Sequence, residues 1–392
     1  LGFITPMAIL GDDQAADLRR QILETGRFAA IDAFPQKDDP RRRVFPEAKL
    51  STAVFVLKKV SDPAIREQRF PSRIHPGRDL EDIQGQLELS TSEIPLYDPE
   101  NLTIVSCSQA DWDLATRIMR TGRLARLGQF AEFFQGEVNE TIERAKGTIS
   151  YDEAKGQRVI RGAGICLYTT RPASQGKDFY VLRDKFLSGR NPDSKAFHHQ
   201  HARVGLQESC PQNNFRRIIA AYIPAGEFCN HKVNYCPSHR SEIDLRVLIA
   251  FLNSKLADWY FRLGSTNAAV SHYQLYNLPF PIFSESSSID ERTRARLTTE
   301  IHRGRFNKPF ETIGPLLDVA PFDSAIRDAI VTAVDRIVEN EHRRGEISRS
   351  DRSGLAPTAQ PYQDFMDSLF FRMAGLSAEE IDGLELRLRT ML

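Results

Sequence analysis

The chain has 392 residues, 41% of them hydrophobic, with 52 Lys+Arg balanced by 52 Asp+Glu and a formal net charge of zero. That length is more than one domain needs and comfortable for two or three, and the overall charge argues for no particular partner. Local charge is uneven: Lys155 to Arg240 carries 14 Lys/Arg against 5 Asp/Glu, a net of +9, which leaves −9 for the rest. Such a stretch suggests a basic face that meets a polyanion. The other reading is a solvated surface whose charges are paired in the fold.

Five cysteines occur, Cys107, Cys166, Cys210, Cys229 and Cys236. The odd number and irregular spacing fit free thiols in a reducing compartment better than a disulfide framework. No apolar run approaches the ~20 residues that span a bilayer, so no membrane partner is expected. No signal peptide is visible, and a cytoplasmic location follows as the expectation. The first residue is Leu, which points to an upstream segment outside this sequence.

In chain order, GFITPMAIL (2–10) is strand-like. Asp12 or Asp13 can cap a helix with Ala15, Leu18, Ile22 and Leu23 on its apolar face, and Gly26 ends it. FAAIDAF (28–34) and LSTAVFVL (50–57) read as strands joined by the charged loop PQKDDPRRR. Residues 61–110 are polar and Pro-rich and read as a linker with short strands. Residues 111–128 read as a helix, and 129–243 as short strands, glycines and polar turns. Asp244 caps a helix over 244–262, with Leu245, Leu248, Ile249, Leu252, Leu256 and Trp259 along one face. NLPFPIF (277–283) is extended and Pro-bounded, and 284–296 is a surface linker that runs into a helix. Asp323 caps a helix over 324–342 that buries Ile326, Ile330, Ala333, Val334, Ile337 and Val338. Residues 345–361 form a flexible connection. The tail holds a helix over 362–373, then Gly375, then a capping box at Ser377 and Glu380.

Several of these pieces carry a resemblance. Leu18-Arg19, Val44-Phe45-Pro46 and the Val-rich run Thr52 to Leu57 are similar to the closing strands of N6-adenine DNA methyltransferases, of the Taq type and the fused type IIG restriction-modification type. VIRGAGICLY (159–168), RRIIAAYIP (216–224), LIAFLNSKLADWYFR (248–262) and LPFPIF (278–283) resemble the target recognition domain of those enzymes, and FMDSLFFRMAGLSAEEI (365–381) resembles their ending. The resemblance implies an α/β remnant of a methyltransferase core over 1–60, a linker over 61–110, an α+β target recognition domain over 111–283 and a helical C-terminal extension over 284–392. It implies sequence-specific recognition of double-stranded DNA within a bacterial or archaeal restriction-modification methyltransferase.

The family's cofactor is S-adenosyl-L-methionine, held by an Asp-Pro-x-x-Gly-x-Gly segment, and its catalytic loop is Asn-Pro-Pro-Tyr/Phe. Neither is in this sequence: Asn191-Pro192 continues with Asp193 and Ser194. A missing or separate N-terminal methyltransferase segment would supply them, so this chain is expected to be inactive alone. Mg²⁺ enters only if a nuclease domain lies upstream. The alternative is a non-catalytic protein-interaction module of a phage-defence complex.

A methyltransferase must flip its target base out of the duplex, and the resemblance gives Phe45 the role of stacking on it. The other reading of Phe45 is a core ring at a strand start. Arg158, Arg161, Lys177, Arg190, Lys195, Arg203, Arg216, Arg217, Lys232 and Arg240 are candidates for DNA contact, since Arg forks read guanine and Lys meets phosphate. Asn213, Asn214, Asn230 and Asn234 could read adenine. Cys229, His231, Cys236 and His239 have zinc-ligand chemistry but not a standard finger spacing. HHQH (198–201) reads as a polar loop near phosphate. Glu47 and Lys49, with Asp32, Asp38 and Asp39 upstream, are a faint match to a metal-dependent nuclease site.

Overall fold

The computed structural model describes residues 1–173, 176–212, 214–345 and 354–390. The chain divides into two compact units, Leu1–Gly122 with Tyr260–Ala268, and Arg123–Trp259 with Ala269–Leu392. It is mixed α and β, with several sheets and helices. Among the described residues no helix is long and apolar enough to cross a membrane.

The first unit is built on a five-stranded sheet of β1 (Gly2–Pro6), β2 (Gly26–Phe34), β3 (Thr52–Lys59), β4 (Phe70–Ile74) and β5 (Gly85–Leu89), in the order β1-β3-β2-β4-β5. β3 lies antiparallel between β1 and β2, and β4 lies parallel to β2. Alternate residues of each strand face one side, and Phe28, Ile31, Phe55, Phe70, Leu87 and Leu89 fill its core. Phe28 sets its ring edge-on to Phe55 at 5.6 Å. Residues 61–110, read as a linker with short strands, supply two strands of this sheet. β4 carries Pro71 within its span, a residue with no N–H to donate to the ladder.

The helix Ala16–Thr25 buries Arg19 and Leu23, while the expected core residue Leu18 is exposed. Arg19 is held because its guanidinium donates to the carbonyl of Asn101 at 2.9 and 2.6 Å and to that of Ile9 at 2.8 Å. Asp12 does not cap this helix; its carboxylate accepts from Thr266 Oγ1 at 3.1 Å and Asn267 Nδ2 at 2.8 Å. Gly26 closes the helix where a Cβ would stand 2.5 Å from the Lys58 carbonyl oxygen. The helix expected over 111–128 is shorter: it spans Gln109–Arg120, is capped by Ser108, and stops before Gly122 at φ +69°.

The second unit adds β6 (Leu124–Arg126), β7 (Phe134–Gln135), β8 (Ile149–Ser150), β9 (Gln157–Ile160), β10 (Tyr180–Val181), β11 (Arg203–Gln207), β12 (Ala220–Ile223), β13 (Phe228–Cys229), β14 (Val233–Pro237) and β15 (Pro279–Pro281). They pair as β13-β9-β10-β8, β12-β11-β14-β7 and β15-β6. The helix expected over 244–262 is broken into Leu245–Leu252 and Lys255–Leu263. The break has a cause in Asn253, whose side chain bonds both the N–H and the C=O of Ala220, at 2.9 Å each, so it serves strand β12 instead of its own helix. Ser254 Oγ then accepts from the Ala257 N–H at 3.1 Å and starts the second helix.

Helix Ser324–Arg343 carries Asp323 as its cap and buries Ile326, Ile330, Ala333, Val334 and Ile337. The tail forms helices Gln360–Met373 and Ala378–Thr390, with the Ser377–Glu380 capping box in place. The connection expected over 345–361 lies partly outside the described residues.

The two larger sheets of the second unit are joined at one buried ion pair. Arg203 on β11 donates from Nη1 to Glu137 at 3.0 Å, with side chains 0% and 1% exposed. Its Nη2 donates to the Glu227 carbonyl, and Glu137 also accepts from the Cys229 N–H at 3.1 Å. Removing one partner of such a pair strands the other charge. Glu137→Gln is therefore expected to cost about 3–5 kcal/mol in denaturant unfolding, whereas the double change Glu137→Leu/Arg203→Met should recover part of that loss. Equal losses in the two variants would contradict this account of the pair.

Candidate nucleic-acid interface

Phe45 lies in the loop between β2 and β3 and is 45% exposed, outside the core. The loop is shaped by Arg43, which is buried and donates to the carbonyls of Lys37 at 2.5 Å, Pro46 at 3.0 Å and Asp38 at 3.3 Å. One guanidinium fork thus satisfies three turning carbonyls and leaves the neighbouring ring on the surface. Ser51 closes the base of the loop by donating to the Pro35 carbonyl at 2.8 Å. The sequence reading missed Arg43, because a run of three arginines in a polar loop looks uniformly exposed.

The carboxylates that suggested a nuclease site have other partners. Asp32 bonds His75 Nε2 at 2.9 Å and faces Arg73 at 3.4 Å, while Asp38 pairs with Lys49 at 3.0 Å. Among the described residues no group of three or more His, Cys, Asp or Glu could hold a metal ion. That includes Cys229, His231, Cys236 and His239. Cys229 lies on β13 in one sheet and Cys236 on β14 in another, and burial pushes both thiols up, Cys236 to about 12. All five cysteines are buried.

The basic segment is largely matched by acids of its own unit. Arg158 pairs with Glu227 at 3.3 Å, Arg161 with Glu140 at 3.7 Å, Arg190 with Glu143 at 2.9 Å, Lys232 with Glu208 at 3.1 Å and Arg240 with Glu132 at 3.5 Å. Lys195 donates to the Gln135 carbonyl at 2.9 Å, and the Lys177 ammonium lies 5.2 Å from the centre of the Tyr151 ring. Arg216 is half-buried. Arg203 and Arg217 are 0% and 1% exposed, so neither can reach a duplex, contrary to the sequence reading. Arg203 is held by Glu137, and the Arg217 guanidinium donates to the Ala269 carbonyl at 3.4 Å.

Of the asparagines, Asn230 and Asn234 are buried and bonded internally, to the Lys232 N–H and the Val270 carbonyl. Asn214 donates to the Arg216 carbonyl. Asn213 lies outside the described residues.

The histidines of 198–201 are not a surface phosphate loop. They belong to the 3₁₀ turn Lys195–Gln200 and its end, with His198 and His199 buried. His199 stacks on Phe228 at 4.3 Å. His198 packs edge-on to Phe134 at 4.6 Å and places Nδ1 3.2 Å from the Tyr235 hydroxyl. His239 completes a row, 5.0 Å from His198 and 4.0 Å from His201 between ring centres. Glu132, His239, Arg240 and Tyr276 line a neighbouring open cavity of about 340 Å³.

No protein-family model matches the sequence, and no curated protein matches it. Among solved structures, the chain is similar to the type IIL restriction-modification enzyme MmeI, solved in complex with DNA. The likeness has a TM-score of 0.50 at 10% identity, over all of this chain and 49% of that one. The type IIG restriction endonuclease BpuSI aligns over 95% of this chain and 47% of its own, at 11% identity and a TM-score of 0.32. The chain thus spans about half the length of each, and its fold is similar to that of about half of the first, a restriction-modification enzyme.

Burial, followed by the charges of His239, Arg203, Arg240 and His201, lowers the His198 pKa from 6.5 to about 4. A group depressed in this way supports the fold above its unfolded value and loses that support as pH falls from about 6.5 to 4. Unfolding stability should therefore drop by up to about 3 kcal/mol across that window, and His198→Asn should flatten the drop. A denaturation series in which wild type and variant lose stability in parallel would contradict the assignment.

Proposed function

We propose that this chain recognises a specific sequence in double-stranded DNA as part of an adenine-N6 methyltransferase of a restriction-modification system. The observation that carries the reading is the fold likeness along its whole length to half of MmeI, whose solved structure is a DNA complex. The exposed ring of Phe45 supports it further. Phe45 offers a flat apolar face on a loop whose backbone is pinned by Arg43, as stacking on an extruded base requires.

The residues present do not fit S-adenosyl-L-methionine. The turn after β1, Met7–Leu10, has no glycine-rich segment, and the acid that follows it, Asp12, is bonded to Thr266 and Asn267. Methyl transfer therefore needs a cofactor-binding part that this chain does not carry. The edge strand β1 is where such a part would continue the sheet. Its outer side is open, with Leu1, Phe3 and Ile4 exposed, and Val56 on β3 beside it. Exposed apolar edges of this kind invite strand addition.

The cations available for DNA are those on the surface. Arg158, Lys232 and Arg240 are held by exposed or part-exposed ion pairs, whereas Arg161 also donates to the Lys177 carbonyl at 2.6 Å and is the most firmly held of the four. Exposed pairs contribute about 0–1 kcal/mol, so a phosphate can take the acid's place at little cost.

In an enzyme completed with its cofactor-binding part, Phe45→Ala should weaken trapping of a flipped 2-aminopurine target by about tenfold to a hundredfold, the range of one base–aromatic stack. The exposed ring predicts an unchanged fold by circular dichroism. Unaltered 2-aminopurine fluorescence between the two proteins would overturn the role of Phe45.

A further inference from the structure

Further along the second unit the cations are not matched in this way. Residues 291–308 hold six Lys/Arg against two Asp/Glu, a net of +4. Asp290 caps the helix Glu291–His302 by accepting from the Thr293 N–H at 2.9 Å. The helix packs on its neighbour Ser324–Arg343. Leu297 and Ile301 are its buried residues, and Arg294 pairs with Asp328 of that neighbour.

Arg292, Arg296 and Arg303 lie on the other side. At about 3.6 residues per turn they fall within about 40° of one another, opposite Leu297 and Ile301. All three are exposed. Among the described residues neither Arg292 nor Arg296 has an acid within ion-pair distance. Arg303 and Arg305 share a single carboxylate, that of Glu300, at 3.4 and 3.7 Å, with the arginine side chains 59% and 68% exposed. Such a stripe projects positive potential into solvent. A membrane surface does not fit it, because the helix turns its leucine and isoleucine inward.

We propose that this stripe is a phosphate-contact surface for double-stranded DNA, with Arg292, Arg296 and Arg303 each meeting a backbone phosphate. This surface rests on the DNA reading above and adds to it a place of contact outside the stretch from Lys155 to Arg240. From Arg292 to Arg303 the stripe runs roughly 16 Å. Successive phosphates of one strand rise by about 3.4 Å along the duplex axis, so several lie within its reach. A guanidinium fork bonds two phosphate oxygens at once, and no carboxylate has to leave Arg292 or Arg296 first.

Salt titrations of the full chain against two unrelated duplexes of about 30 base pairs test it. In Arg292→Gln/Arg296→Gln/Arg303→Gln the log–log salt slope should be shallower than in wild type by about 2.7 on both duplexes, as the loss of three released counterions requires. Arg292→Gln alone should lower it by about 0.9. Glutamine keeps the helix propensity, so circular dichroism should not change. Arg294→Gln, which removes the same charge on the packing side, should leave the slope as it is. Equal slopes in a DNA-binding wild type and the triple variant would overturn this surface and leave the DNA reading standing. A wild type with no affinity for either duplex would overturn both. A loss confined to one duplex, or one that Arg294→Gln reproduces, would also overturn the phosphate contacts.

Discussion

Arg203 and Glu137 hold the second unit together at the point where its two larger sheets meet. The chain leaves β7, passes Gly136, and places Glu137 against β13. A Cβ at residue 136 would lie 1.9 Å from the Asn230 carbonyl oxygen, so only glycine admits this approach. The next residue, Val138, donates to the Cys229 carbonyl at 3.0 Å and accepts from the His231 N–H at 2.9 Å. Arg203, on β11 of the other sheet, reaches across to this crossing and sets its guanidinium 4.7 Å from the Tyr235 ring centre. A buried ion pair gains little net stability over an apolar pair, but it tolerates only one arrangement of its partners. Its role here is to fix the register of two sheets whose strands, at two to five residues, are too short to fix it by ladder bonds alone.

The same pairing logic governs the surface. The basic excess of Lys155 to Arg240 is a property of the linear chain. In space, acids from just upstream, Glu132, Glu137, Glu140 and Glu143, return to meet Arg240, Arg203, Arg161 and Arg190. The bare positive face suggested by charge counting is therefore a mosaic of ion pairs. On the DNA-binding reading proposed above, phosphates would displace exposed carboxylates by exchange. The buried pair at Arg203 is excluded from that exchange and serves the scaffold instead.

Long amphipathic helices were legible in the sequence because their periodicity and caps act locally. Asp323 and the Ile326-to-Ile337 stripe, and the Ser377–Glu380 box, needed no tertiary context. The misreadings share one cause, a polar residue whose partner is distant in sequence. Arg19 is buried because of carbonyls at 9 and 101. Asn253 breaks a helix to serve a strand 33 residues earlier. His75 is buried in the polar stretch 61–110 because its ring stacks on Phe34 at 4.7 Å and bonds Asp32. Of the candidate site, Phe45 was singled out by the resemblance alone, and of its two readings the core ring at a strand start does not hold, since the ring is exposed. The division of the arginines between scaffold and surface was not legible, since it depends on which acids fold back onto them.

Salt dependence of duplex affinity is the most direct measure of whether this chain binds DNA. With a blunt duplex of about 30 base pairs, the logarithm of the association constant should fall linearly with the logarithm of salt concentration, with a slope of about −4 or steeper, as about five displaced phosphate counterions require. A chain that shows no affinity at low salt, or an affinity indifferent to salt, would contradict the account.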